Sequence, residues 1–312
     1  MRKYLQLFNE YLASVPLAEQ EPKNLYEPVS YVLSFGGKRI RPVLAMIACE
    51  MFGGKAEDVL PQATGIEIFH NFTLLHDDVM DNADMRRGND TVHKKWNTNT
   101  AILSGDAMLI LAYRYIAVGQ KEKLPALLES FNRTALGVCE GQQYDMDFEK
   151  QQTVTLREYL EMIRLKTAVL IAGALDIGAI MGGASPEARE HLQEYGTNIG
   201  LAFQLQDDLL DLYGDEKTFG KKIGSDIIEK KKTFLWIKAQ ELLTPEGRIS
   251  LRNAIDTADI AGVRKVYDSI NIKEHCQEEI QKYYEKSLST LKQLPNSTAL
   301  ENFSKELTLR IA

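Results

Sequence analysis

Apolar residues recur along this chain three and four positions apart over most of its length. The strict alternation of a half-buried strand is nearly absent. The pattern predicts helices over 25–34, 39–52, 57–82, 97–118, 123–149, 156–182, 187–213 and 234–243, with shorter ones from 247 onward. Turn chemistry falls in the gaps between them: Gly53-Gly54, Arg87-Gly88-Asn89-Asp90, Gly182-Gly183, Ser185-Pro186 and Thr244-Pro245. Ser185-Pro186 makes a sound helix start, because the N–H that proline lacks is one the first turn leaves unpaired. No proline- or serine-rich linker and no low-complexity tract divides the chain. The expectation is a single all-α domain over 1–312 whose central helices are long and largely apolar.

Composition narrows the class. Of the 312 residues 44% are hydrophobic, enough for a sizeable core, and the formal charge of −7 argues against a nucleic-acid surface. Cys49, Cys139 and Cys276 are too few and too scattered for a disulfide framework or a zinc site, and fit buried thiols in a reducing compartment. The first residues carry charges at both ends of a short apolar face, without an uninterrupted signal core. No segment reads as the ~20 apolar residues that span a bilayer. The expected location is the cytoplasm.

Two aspartate clusters change the picture. Asp77-Asp78-Val79-Met80-Asp81 and Asp207-Asp208-Leu209-Leu210-Asp211 share one DDxxD spacing, and each lies in an apolar, helical stretch. At helical pitch the outer aspartates stand about one turn apart, with the middle one about 100° around the same side. Like charges at that spacing repel, so the arrangement calls for a cation. Mg²⁺ characteristically takes one or two carboxylates together with substrate phosphates, so the pair reads as two walls of one magnesium–phosphate site. Each cluster is followed by bases, Arg86-Arg87 after the first and Lys221-Lys222 after the second. Beside a polyanion, such bases bind phosphate oxygens directly. A third cluster, Gly36-Gly37-Lys38-Arg39-Ile40-Arg41-Pro42, pairs a flexible turn with a helix start, where free N–H groups favour anions. Lys38 and Arg41, three apart on that first turn, are expected to face one way, as a diphosphate cradle without a Walker spacing. On the helical wheel Gln204 falls between Asp207 and Asp208, and His70 is in phase with Asp77.

At this point the chain resembles a known family. FGGKRIRP, LLHDDVMD…MRRG, EGQQYD, RLKTA, AFQLQDDLLD, FGKKIGSD and KKKT stand in the order found in trans-isoprenyl diphosphate synthases, over about residues 35–235. The resemblance implies a bundle of long antiparallel helices around a central active-site cavity, working as a homodimer through helices 97–118 and 123–149. The implied reaction is head-to-tail condensation of isopentenyl diphosphate with an allylic diphosphate (dimethylallyl, geranyl or farnesyl). Asp77, Asp81 and Asp207 would be magnesium ligands, with Asp78, Asp208 and Asp211 as ligands or supports. Arg86, Lys166, Thr167, Gln204 and Lys221 would contact the allylic diphosphate, with Lys231 nearby. Lys38, Arg41, His70 and Arg87 would form the isopentenyl diphosphate site, and Gln142 and Asp145 would support it all from one helix. Lys222 beside Lys221, and Lys230 and Lys232 beside Lys231, leave the choice of lysine open at both places.

The chemistry accounts for these residue types. Ionising an allylic C–O bond releases a highly charged diphosphate, which divalent metal and fixed cations stabilise. The second substrate must not ionise, so a basic, metal-free site suits it. Product length should depend on the turns below the first motif. By resemblance, aromatics four and five residues before it act as floors in farnesyl synthases; here those positions hold Thr73 and Phe72, with Phe69 another turn down. The reading is a geranylgeranyl product first and farnesyl second. A terpene cyclase would be expected to lack GGKR and the full second motif, and a non-catalytic regulatory subunit to have broken motifs; this chain has all of them intact.

Overall fold

In the computed structural model, which describes residues 1–119, 121–214 and 223–308, the protein is all-α apart from one two-residue hairpin. Its helices are α1 (Arg2–Ala13), α2 (Lys23–Ser34), α3 (Ile40–Met51), α4 (Leu60–Met80), α5 (Val92–Lys95), α6 (Thr98–Ile116), α7 (Leu124–Lys150), α8 (Leu156–Ile163), α9 (Val169–Gly182) and α10 (Pro186–Tyr213). They continue with α11 (Ser225–Ile228), α12 (Phe234–Leu242), α13 (Pro245–Asp256), α14 (Ile260–Asp268), α15 (Ile272–Leu291) and α16 (Thr298–Thr308). The hairpin pairs β1 (Met85–Arg86) with β2 (Asn89–Asp90).

The contacts divide the chain into two compact units, each assembled from separate stretches. The first comprises Met1–Ala135, Gly173–Gln193 and Leu294–Leu300, and the second Leu136–Ala172, Glu194–Gln293 and Glu301–Ala312. In the first unit α4 is buried almost all round, as its apolar run requires. It packs on α6 where side chains vanish: a Cβ at Gly105 would sit 2.2 Å from His76 Nε2, and one at Gly65 would sit 2.9 Å from the Ala112 carbonyl. In the second unit α8, α10, α12 and α15 share a core that includes Tyr159, Leu205, Leu209, Phe234 and Cys276.

Caps fix the boundaries. Asn97 accepts the Thr100 N–H at 2.8 Å to start α6. Thr155 and Glu158 close a reciprocal capping box at the head of α8, supplying acceptors for donors a helix start leaves unpaired. Three features depart from the sequence pattern. The N-terminal stretch forms α1, burying Tyr4 and Phe8. The loop after the first acidic motif is a hairpin whose two turn residues, Arg87 and Gly88, both have positive φ (52° and 77°), the backbone of a tight primed turn. Residues 156–182 run helically through a π-helical turn at Arg164–Ala168. They form a helix long and apolar enough to cross a membrane by composition, with 78% of the apolar window buried, as in a core helix.

Candidate active site

The first unit gathers the Gly-Gly loop, the first acidic motif and the arginine hairpin. Arg39 caps α3 in the left-handed region at φ 47°. Its guanidinium turns inward, onto Glu67 at 2.5 Å and the Leu33 carbonyl at 2.6 Å. Asn71 also donates to that Glu67 carboxylate, at 3.0 Å. Helix α3 therefore starts at Ile40, one residue later than the pattern predicts. Lys38 lies in the preceding turn, exposed, rather than on a shared helical face with Arg41. Arg41 Nη1 lies 3.1 Å from His70 Nε2. Arginine only donates, so Nε2 accepts and the imidazole proton sits on Nδ1. Burial pushes His70 well below the ordinary imidazole range, and the surrounding Arg41, Arg87, Arg86 and Arg39 push the same way, so it is neutral at pH 7.

Adjacent arginines of the hairpin serve different neighbours. Arg86 Nε contacts both oxygens of Asp78 at 2.8 and 2.9 Å, and its Nη2 lies 3.6 Å from Asp77. Arg87, with its left-handed backbone, donates instead to the Gly36 carbonyl of the Gly-Gly loop. Gly37 makes room for it: a Cβ there would stand 2.8 Å from Arg87 Nη1. Asp78 is buried, and burial raises its carboxyl above the usual range while Arg86 pulls the other way. Asp77 is half-buried and Asp81 exposed at the end of α4. Phe69 and Phe72 belong to an aromatic cluster: Phe69 meets Phe131 edge-on at 5.3 Å, and Phe72 meets His76 at 4.7 Å. The hydroxyl of Thr73 donates to the His70 carbonyl at 2.8 Å.

The second unit holds the second motif on the last turns of α10. Asp207 is half-buried, while Asp208 and Asp211 are buried. Asp211 accepts the Ser225 hydroxyl at 2.5 Å and the Asp226 N–H at 3.1 Å. Asp208 accepts the Tyr159 hydroxyl, Gln204 Nε2 at 3.1 Å and the Phe234 N–H at 3.3 Å. Burial pushes the Asp208 carboxyl up to about 8, Asp226 adds to the rise, and the three donors restrain it. Gln204 Oε1 in turn accepts the Thr167 hydroxyl at 2.9 Å.

Lys166 and Thr167 sit on the π-helical turn, an irregularity common at functional sites. Lys166 reaches Asp145 at 2.6 Å, which brings EGQQYD and RLKTA together. Their helices can meet because of Gly141, whose Cβ would fall 2.2 Å from the Lys166 nitrogen. Gln142 follows it on α7, half-buried. A cavity of about 240 Å³ is lined by Asp208, Asp211, Asp226, Lys231, Thr233 and Arg252, among others. Of the three adjacent lysines, Lys230 pairs with Asp256 at 2.6 Å and Lys232 donates to the Phe148 carbonyl at 2.5 Å. Lys231 pairs with its near neighbour Glu229 at 2.8 Å. Lys221 and Lys222 lie outside the described residues.

Each motif fits a hard divalent cation in donor type, since carboxylate oxygens are what Mg²⁺ prefers. Among the described residues no group of three His, Cys, Asp or Glu side chains could hold a metal by itself. A bound ion would therefore complete its shell with phosphate oxygens and water. Residues the sequence pattern did not single out are Tyr159, Asp226, Ser225 and Gly141. Ser225, Asp226 and Gly141 stood inside quoted motifs, whereas nothing in the pattern separates Tyr159 from an ordinary core tyrosine.

Comparison with known proteins identifies the family and the fold. The family model described as polyprenyl synthetase matches residues 22–270. A geranylgeranyl diphosphate synthase of Methanosarcina mazei is 45% identical over 70% of this chain and 68% of its own length. The crystal structure of a geranylgeranyl pyrophosphate synthase superposes with a TM-score of 0.93 at 42% identity, covering 99% of this chain and 98% of that one. The synthase of Corynebacterium glutamicum, solved with isoprenyl diphosphate and magnesium, gives 0.84 at 28% identity over 99% and 96%. With this coverage and identity, the chain belongs to the polyprenyl synthetase family.

Proposed function

We propose that this trans-prenyltransferase condenses isopentenyl diphosphate head to tail with allylic diphosphates, up to farnesyl, to give geranylgeranyl diphosphate. The observation that carries the reading is the division of labour between Arg86 and Arg87. One is committed to the acidic motif and the other to the basic Gly-Gly loop. Two diphosphates need such a division, because one must ionise and the other must not. Lys38, Arg41, His70 and Arg87 hold isopentenyl diphosphate without metal, and the neutral His70 adds an N–H donor without further charge. Arg86, Lys166, Thr167, Gln204, Lys221 and Lys231 hold the allylic diphosphate.

Asp77, Asp81 and Asp207, with Asp211, are the proposed magnesium ligands; the metal would supply charge neutralisation at the leaving diphosphate. As the allylic C–O bond ionises, Arg86 and Lys166, held by Asp78 and Asp145, stabilise the charge developing on the diphosphate oxygens. The walls around the allylic cation must exclude water, which would otherwise trap it. The isopentenyl double bond then attacks, and loss of a proton, with the released diphosphate as acceptor, completes the product.

We further propose that 1–312 acts as one domain. The chain passes between its two units repeatedly, which favours folding and function as a whole. The free thiols of Cys49, Cys139 and Cys276 support a reducing, cytoplasmic location. The proposed homodimer uses α6, on which Ile102, Leu103 and Ile110 are 42%, 61% and 65% exposed. Phe69, Phe72 and Thr73 are the proposed determinants of length. Incubation with magnesium, isopentenyl diphosphate and each allylic primer tests the reading by the chain length of the product.

A further inference from the structure

Tyr159 plays no part in the function proposed above, yet its side chain is tied directly to the second acidic motif. It is 2% exposed on α8. Its hydroxyl donates to Asp208, a carboxylate that is itself 4% exposed. A buried carboxylate needs donors, and among the described residues Asp208 has three: Tyr159, Gln204 Nε2 and the Phe234 N–H. The bond to Gln204 has a consequence further along. A carboxylate only accepts, so the nitrogen end of the Gln204 amide must face Asp208. The oxygen end is then committed to the hydroxyl of Thr167. One continuous chain thus runs from Tyr159 through Asp208 and Gln204 to Thr167, joining α8, the end of α10 and the π-helical turn. Networks of this kind fix rotamers more strongly than their separate bonds do.

We infer that Tyr159 is a positioning residue for the allylic diphosphate, acting through Asp208 on the Gln204 amide, which Thr167 holds from its oxygen end and whose second Nε2 hydrogen can meet a diphosphate oxygen. The inference rests on the proposed assignment of Gln204 and Thr167 to that substrate. Without the Tyr159 hydroxyl, Asp208 keeps two donors, and the last turns of α10 and the Gln204 amide lose one of their fixed points. Tyr159, Asp208, Gln204 and Thr167 all belong to the second unit, whereas Lys38, Arg41, His70 and Arg87 belong to the first.

The test compares Tyr159→Phe with wild type in steady-state kinetics, varying the allylic substrate and isopentenyl diphosphate separately. Tyr195→Phe serves as control, because Tyr195 lies on the same α10 and its buried hydroxyl is paired 2.9 Å from Ser304 instead. Thermal midpoints of both variants are measured alongside. The expected result is a fall of about 10–100-fold in kcat/KM for the allylic substrate with Tyr159→Phe, as for loss of an outer hydrogen bond that orients site residues. The KM for isopentenyl diphosphate stays unchanged, and Tyr195→Phe keeps wild-type kinetics. In a Thr167→Ala background Tyr159→Phe should cost markedly less, because the two changes break one chain. Unaltered kinetics in Tyr159→Phe, full additivity with Thr167→Ala, or equal losses in both tyrosine variants would each overturn the inference. A wild-type protein that condenses nothing overturns the proposed function as well, so the two failures are distinguishable.

Discussion

Arg86 and Arg87 are neighbours in sequence with different work, and the left-handed backbone at Arg87 turns one away from the other. That conformation is uncommon outside glycine, and it follows from the tight hairpin turn. The aspartates set the sharpest expectation at this scale. Asp77→Ala and Asp207→Ala should each lower kcat by at least ~10²–10³-fold, the loss seen when charge stabilisation of a developing anion is removed. Circular dichroism and the thermal midpoint should stay near wild type; undiminished turnover would sink the metal assignment. His70 gives a pH signature. Its native pKa is depressed, so between the unfolded value of about 6.5 and the lower native value only the unfolded chain takes up the proton. Stability from the neutral imidazole is therefore present above pH ~6.5 and lost as pH falls, by about 1.4 kcal/mol per pH unit. Urea melts at pH 7 and pH 5 should show a steeper loss in wild type than in His70→Gln. Matching losses would contradict a neutral His70.

At the scale of elements, most helices were legible because their apolar faces repeat at helical spacing, and α4, α6, α7 and α10 lie close to their predicted ranges. What escaped was backbone detail with weak side-chain signatures. The π-helical turn at Arg164–Ala168 contains no breaker, and the hairpin after the first motif reads only as a loop until the φ angles of Arg87 and Gly88 are known. The cap at Arg39 likewise turned an expected helical residue inward to Glu67, against the spacing argument for Lys38 and Arg41. Gly141 carries the prediction here. Gly141→Ala should destabilise the protein by about 1–3 kcal/mol, the usual range for overpacking, because its Cβ would meet the Lys166 backbone at 2.2 Å. Activity should fall with it, since Lys166 and Thr167 ride on the displaced turn. A variant with wild-type stability and turnover would show that α7 and the π-helical turn need no such close approach.

For the whole molecule, the reaction class was legible because two acidic motifs and three basic clusters stand in a fixed order. Product length was not, because the proposed floor of Phe69, Phe72 and Thr73 is a matter of packing around α4 rather than of any motif. Phe69 and Phe72 share an aromatic cluster with Phe131 and His76, and either ring, once removed, leaves space there. Phe72→Ala or Phe69→Ala should lengthen the product by at least one isoprene unit on chromatography; unchanged products from both would remove the floor assignment. If the proposed dimer forms through α6, wild type should scatter light as a dimer and Leu103→Glu as a monomer; a dimeric Leu103→Glu would contradict that interface and a monomeric wild type the dimer itself. The most direct test of the central claim incubates the purified chain with labelled isopentenyl diphosphate, Mg²⁺ and dimethylallyl, geranyl or farnesyl diphosphate in turn. The account predicts magnesium-dependent elongation ending mainly at geranylgeranyl diphosphate. Failure to elongate any primer, or release of a cyclic hydrocarbon instead of a linear diphosphate, would contradict it.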